Sequence, residues 1–93
     1  MATEMTDTIQ TVRYDKASDV LYIATRPGRP AVSKEGLPGV LWRYDATDGE
    51  IVGVTIMDFN YYWTSRIPEL ASDISAHIQV SPVKARTILE GVR

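Results

Sequence analysis

The sequence predicts an α+β domain: an antiparallel β-meander of four to five strands, with two C-terminal helices packed on or beside it. Three features carry that prediction. Asp48-Gly49 lies between two alternating apolar runs, a strong short-range signal for a hairpin. β-branched and alternating segments fill the chain up to Asp58. From Ile67 onward the apolar residues recur at helical spacing instead.

In chain order, Met1 to Asp7 is polar and aperiodic and reads as a loose tail. Thr8 to Tyr14 reads as a first strand, Asp15 to Ser18 as a turn, and Asp19 to Thr25 as a second strand. Val20 to Ile23 is apolar on both faces, which suits a central strand covered on both sides. Pro27-Gly28 and Pro30 interrupt the pattern, and Ala31 to Glu35 reads as a short strand before a turn at Gly36 to Gly39. The hairpin from Gly39 to Asp58 organises the rest. Its loop, Asp45 to Gly49, needs a left-handed residue, and Gly49 supplies it. One bulged residue there would set Trp42 opposite Val52 and Val40 opposite Val54. Val40, Trp42, Tyr44, Val52, Val54 and Ile56 would then share the buried face. Gly53 would leave room for the Trp42 ring or for a neighbouring subunit, the ring being the simpler explanation.

Phe59 to Trp63 places four aromatics in five residues, too many for one small core. Phe59, Tyr61, Tyr62 and Trp63 are therefore candidate interface residues, weighed against packing of the helices onto the sheet. Ile67, Leu70, Ala71, Ile74 and Ile78 mark one helix, with Pro68 in its first turn. Ser81-Pro82 starts a second as N-cap and first helical residue, with Ala85, Ile88, Leu89 and Val92 on its apolar face and Gly91 as a left-handed C-cap. The chain is expected to form a single domain over residues 1–93, with a meander over 8–58 and a helical tail over 66–92.

A chain of this length buries only roughly 60–65% of its unfolded surface, so self-association would stabilise it noticeably. The net charge is −2, with six Lys/Arg against nine Asp/Glu in residues 1–65 and four against three thereafter. That excludes a strongly basic, non-specific nucleic-acid binder, and a mildly acidic front suits a basic partner. Cysteine is absent, no apolar run approaches membrane-spanning length, and no signal peptide is visible, so a cytoplasmic protein is expected. His77 stands alone, with Asp73 as its nearest acidic neighbour on the same helix. Asp45 and Asp48 read as turn formers. Asp15, Asp19 and Asp58 lie at strand ends, where convergence would make a cation or shared-proton site. Neither a phosphate-binding glycine loop nor a Ser-His-acid arrangement stands out, so neither enzymatic activity nor a cofactor is expected.

Tyr14-Asp-Lys-Ala-Ser-Asp-Val-Leu-Tyr-Ile23, Gly39-Val-Leu-Trp-Arg-Tyr-Asp45 and Asp48-Gly-Glu-Ile-Val-Gly-Val-Thr-Ile-Met-Asp58 together resemble the YuzE-like domain-of-unknown-function family over about residues 12–58. Ser18 occupies the place of a usual alanine, and Thr55 stands where an acidic residue is common. The resemblance implies a small bacterial meander with a helical end and no established activity. It also implies antitoxin-like partnership with small toxin-like proteins, and it offers no catalytic residues to carry over. After Asp58 the chain departs from the family's short tail, and Ala71 to Glu90 looks like a helix-turn-helix. In that reading Ser81 to Glu90 is a recognition helix presenting Lys84, Arg86 and Thr87 to a major groove. Gln79 in place of the turn glycine and the small Ala85 depart from the pattern, and a structural helix pair packed on the sheet fits equally well. The functional expectation is a self-associating protein-binding or regulatory module, most simply a homodimer, with DNA contact through its last helices. The alternatives are a small-molecule or metal-binding domain using the strand-end carboxylates, or a purely structural subunit.

Overall fold

The Asp45–Gly49 turn closes as its residues dictate. Gly49 takes φ 77°, its N–H donates to the Asp45 carbonyl at 2.9 Å, and the Asp45 N–H donates to the Glu50 carbonyl at 2.7 Å. On either side of it, in a computed structural model that describes residues 9–92, run the two longest strands. The elements are β1 (Thr11–Asp15), β2 (Val20–Ala24), β3 (Ala31–Glu35), β4 (Val40–Asp45) and β5 (Ile51–Met57), then α1 (Phe59–Tyr62), a 3-10 turn (Trp63–Ser65), α2 (Ile67–His77) and α3 (Pro82–Glu90). The expected tail from Met1 to Asp7, and Thr8, lie outside the described residues.

All strand pairs are antiparallel, in the order β1-β2-β5-β4-β3. Only β3-β4-β5 is a simple meander. The β1-β2 hairpin joins its β5 side, because the Pro27–Pro30 connection carries the chain from β2 across to the far edge. The fold is α+β, as predicted, with the helices following the sheet.

The hairpin register differs from the expected one by a residue pair. Trp42 lies opposite Val54 and Val40 opposite Ile56, and the irregularity falls between Arg43 and Tyr44, with Tyr44 opposite Ile51. Val52 is the extra residue of the bulge. Its carbonyl accepts N–H bonds from Thr25 at 2.9 Å and Arg26 at 3.2 Å. A distant corner of the chain therefore fixes the bulge, and Ile51 rather than Val52 packs against the core beside Tyr44. Gly53 is likewise explained by backbone. A Cβ there would lie 2.6 Å from the Ile23 carbonyl oxygen, whereas the residue that makes way for the Trp42 ring edge is Gly36.

One face of the sheet supplies Leu21, Ile23, Val40, Trp42, Val54 and Ile56 to the core. The helical layer answers with Phe59, Trp63, Leu70, Ala71, Ile74, Ala85 and Leu89. Trp42 is stacked on His77, with ring centroids 4.1 Å apart. Ser81 caps α3 as expected, its hydroxyl accepting from the Lys84 N–H at 3.1 Å. Gly91 is not left-handed, with φ −90° and ψ 0°. Its N–H bonds the Thr87 and Ile88 carbonyls directly, so the helix ends without the positive φ the glycine suggested.

Candidate functional site

Alternation along the strands puts a second set of side chains on the opposite side of the sheet. Register aligns Arg13, Tyr22, Thr55, Leu41 and Glu35 in one row from β1 to β3. Val20 and Met57 form part of the row on one side of it, and Ala24, Gly53, Arg43 and Ser33 the row on the other. None of these residues belongs to the core cluster, and the helices pack against the other face. An antiparallel sheet with one solvated face normally carries polar residues there. This one keeps Val20, Tyr22 and Leu41 half-exposed and Met57 44% exposed. The two-sided apolar character of Val20 to Ile23 predicts a strand covered on both sides. In the single chain it is covered on one.

The face has opposite charges at its two edges. Arg13 lies over the Tyr22 ring, 4.3 Å from its centroid, at the β1 edge. Glu35 at the β3 edge accepts the Gly39 N–H at 2.9 Å. Towards the bulge the face becomes basic. Arg13, Arg26, Arg29 and Arg43 line a shallow cavity of about 360 Å³ beside Gly53. Arg29 pairs with Asp45 at 2.6 Å, while Arg26 pairs with Asp48 at 3.2 Å and lies 3.7 Å from Asp45.

Asp15, Asp19 and Asp58, the carboxylates expected at strand ends, form no metal-binding group among the described residues, and Asp45 is a turn former as expected. Asp15 accepts the Ala17 N–H at 3.1 Å and Asp45 the Thr47 N–H at 2.7 Å, so both close their own turns. Asp19 accepts the Tyr14 hydroxyl at 2.7 Å and the Asn60 and Tyr61 N–H groups at 2.7 and 3.0 Å, tying the β1-β2 turn to the start of α1. Asp58 takes a left-handed φ of 55° ahead of α1. Among the described residues no three His, Cys, Asp or Glu side chains come together as a metal site would need.

The Thr47 N–H holds the Asp45 carboxyl below the usual carboxylate range against the opposing effect of burial, helped by the Asp48 N–H and the charges of Arg29 and Arg26. Burial also opposes ionisation of Asp19, but the bonds from Tyr14, Asn60 and Tyr61 outweigh it and lower that pKa too. A carboxylate whose pKa is depressed by folding stabilises the native state above its unfolded pKa. That contribution fades as pH falls through the folded value. Thermal melts should therefore hold nearly level from neutral pH down to about pH 5 and drop below about pH 4. Asp19→Asn and Asp45→Asn should each flatten that drop. An unchanged slope in both variants would show that these contacts do not set the acid limit.

The aromatic segment divides in two. Phe59 and Trp63, one helical turn apart, are buried at 0% and 2% exposure, so neither reaches a partner surface as proposed for them from sequence. Tyr61 is 87% exposed and Tyr62 39%, the latter edge-on to Trp63 and covered by Arg66. On α3, Lys84, Arg86 and Thr87 all point outward beside Val83, which is 76% exposed. Arg86 is paired with Glu90 at 3.0 Å, and the Thr87 hydroxyl donates to the Val83 carbonyl. His77 is a partly exposed helix residue whose Nδ1 lies 2.8 Å from the Asp73 carbonyl oxygen.

The Val20–Met57 face escaped sequence reasoning because its members come from five strands whose order is not a meander. The signal for it was the apolar run in β2. Residues 11–60 match a family model described as Protein of unknown function (DUF2283). No curated protein and no solved structure matches the chain.

Proposed function

The chain belongs to the DUF2283 family, and from that premise we propose that it is a binding module that self-associates as a homodimer through the bare face of its sheet. The observation that carries this reading is the row Arg13–Tyr22–Thr55–Leu41–Glu35. A two-fold axis parallel to the strands and centred on Thr55 lays Arg13 over Glu35 of the second copy and Tyr22 over Leu41. The row is therefore complementary to itself in both charge and apolarity. Pairing would also cover Val20 and Met57, removing apolar surface from water at roughly 25 cal/mol per Å².

Sedimentation equilibrium at micromolar concentration should give a dimer. Leu41→Glu should weaken it at least tenfold by burying an unpaired charge. Arg13→Glu alone should weaken it less, and Arg13→Glu combined with Glu35→Arg should restore it. A wild-type monomer at tens of micromolar, or a charge swap that restores nothing, contradicts the reading. A small toxin-like protein is the alternative occupant of this face, marked by association with that partner in place of self-association. Helix α3 supports DNA contact as a second reading through its outward Lys84, Arg86 and Thr87. With Glu90 beside them they leave one net positive charge, so the expected affinity for phosphates is low.

A further inference from the structure

The basic end of the sheet face is built differently from its apolar end. We propose that the hollow between Arg43, Gly53 and the Arg26–Arg29 corner binds the phosphate group of a small phosphorylated ligand. The chain as a whole is acidic, yet four of the six Lys/Arg in residues 1–65 line this one cavity. Arg26 and Arg29 are balanced by Asp48 and Asp45. Arg43 and Arg13 have no ion pair with a carboxylate among the described residues, which leaves two net positive charges around the hollow. Arg43 is half-buried, and its Nε is enclosed without a hydrogen-bond partner among the described residues. A buried donor of that kind is costly unless an acceptor reaches it. Beside it in the register Gly53 contributes no side chain, so the floor of the hollow is strand backbone flanked by Ala24. Guanidinium groups are planar forks that match the oxygens of a phosphate, and partial exclusion of water strengthens such bonds. A cavity of about 360 Å³ has room for a phosphate and part of the group that carries it.

The hollow lies within one chain, and its lining shares Arg13, Tyr22 and Thr55 with the row proposed to pair. Phosphate binding is therefore measured on the monomeric Leu41→Glu chain as well as on wild type. Amide chemical shifts followed on the full chain during titration with inorganic phosphate, adenosine monophosphate, acetate and chloride at constant ionic strength provide the test. Saturable shifts at Ala24, Arg43 and Gly53 are expected with the two phosphates, and weaker or no saturation with acetate and chloride. Arg43→Gln should weaken phosphate binding at least fivefold and Arg26→Gln two- to threefold, with the spectrum of the folded sheet retained in both. Arg43→Lys should fall between wild type and Arg43→Gln. Equal response to phosphate and chloride, equal or tighter binding of acetate, shifts located elsewhere, or an undiminished response in folded Arg43→Gln would overturn the assignment.

Discussion

Trp42→Ala should cost about 3–5 kcal/mol of folding stability, the range for emptying an aromatic site in a packed core. Trp42 is 2% exposed and is held from every direction. Val54 faces it from β5, His77 stacks on it from α2, and the Gly36 backbone closes on its edge. These neighbours belong to separate elements, so they cannot collapse together into the vacated space. A 93-residue domain has roughly 5–14 kcal/mol in all, and the variant should lose about a fifth of its stability or more. Urea denaturation followed by far-ultraviolet circular dichroism measures this directly. Tyr61→Ala, at a residue 87% exposed, should change stability by no more than about 0.5 kcal/mol. A Trp42→Ala cost below about 1 kcal/mol would mean that the sheet and helices are not joined through this ring.

Gly53→Ala and Gly91→Ala should move stability in opposite directions. At Gly53 the new Cβ would sit 2.6 Å from the Ile23 carbonyl oxygen and 3.3 Å from the Ala24 Cα, both backbone atoms of an interior strand. Relief requires β2 and β5 to separate where they pair, a strain of about 1–3 kcal/mol. At Gly91 the nearest atom to a Cβ is the Thr87 carbonyl oxygen at 3.5 Å, and φ is −90°, which any residue adopts. There the reduced freedom of the unfolded chain should stabilise by about 0.4–1 kcal/mol. The same pair of urea titrations decides it. A Gly53→Ala variant as stable as wild type would show that β2 and β5 are not held at this spacing.

Local features of the fold were legible because local residues determine them. Gly49 at φ 77°, the Ser81 cap and the extents of β3 and α3 follow from turn and capping chemistry within a few residues. The hairpin register was not legible. Val52 is bulged by N–H groups of Thr25 and Arg26, more than twenty residues away in sequence. Strand order escaped for the same reason, since the proline-rich connection says only that the chain turns and not which edge it reaches. Phe59 and Trp63 were legible in principle. Their four-residue separation continues into Ile67 at helical spacing and marks an inward stripe, with Tyr61 and Tyr62 off it. The candidate site was the least visible part, being a row across five strands that exists only once the order β1-β2-β5-β4-β3 is known.

The homodimer reading depends on the bare face meeting its own copy. Isotope-filtered nuclear Overhauser spectroscopy on a mixture of labelled and unlabelled chains tests that contact atom by atom. Intermolecular signals from the Leu41 methyls to the Tyr22 ring, with further signals at Val20 and Met57, are the predicted result. Intermolecular signals confined to Tyr61, Tyr62 or α3, or none in a sample that sediments as a monomer, would contradict it.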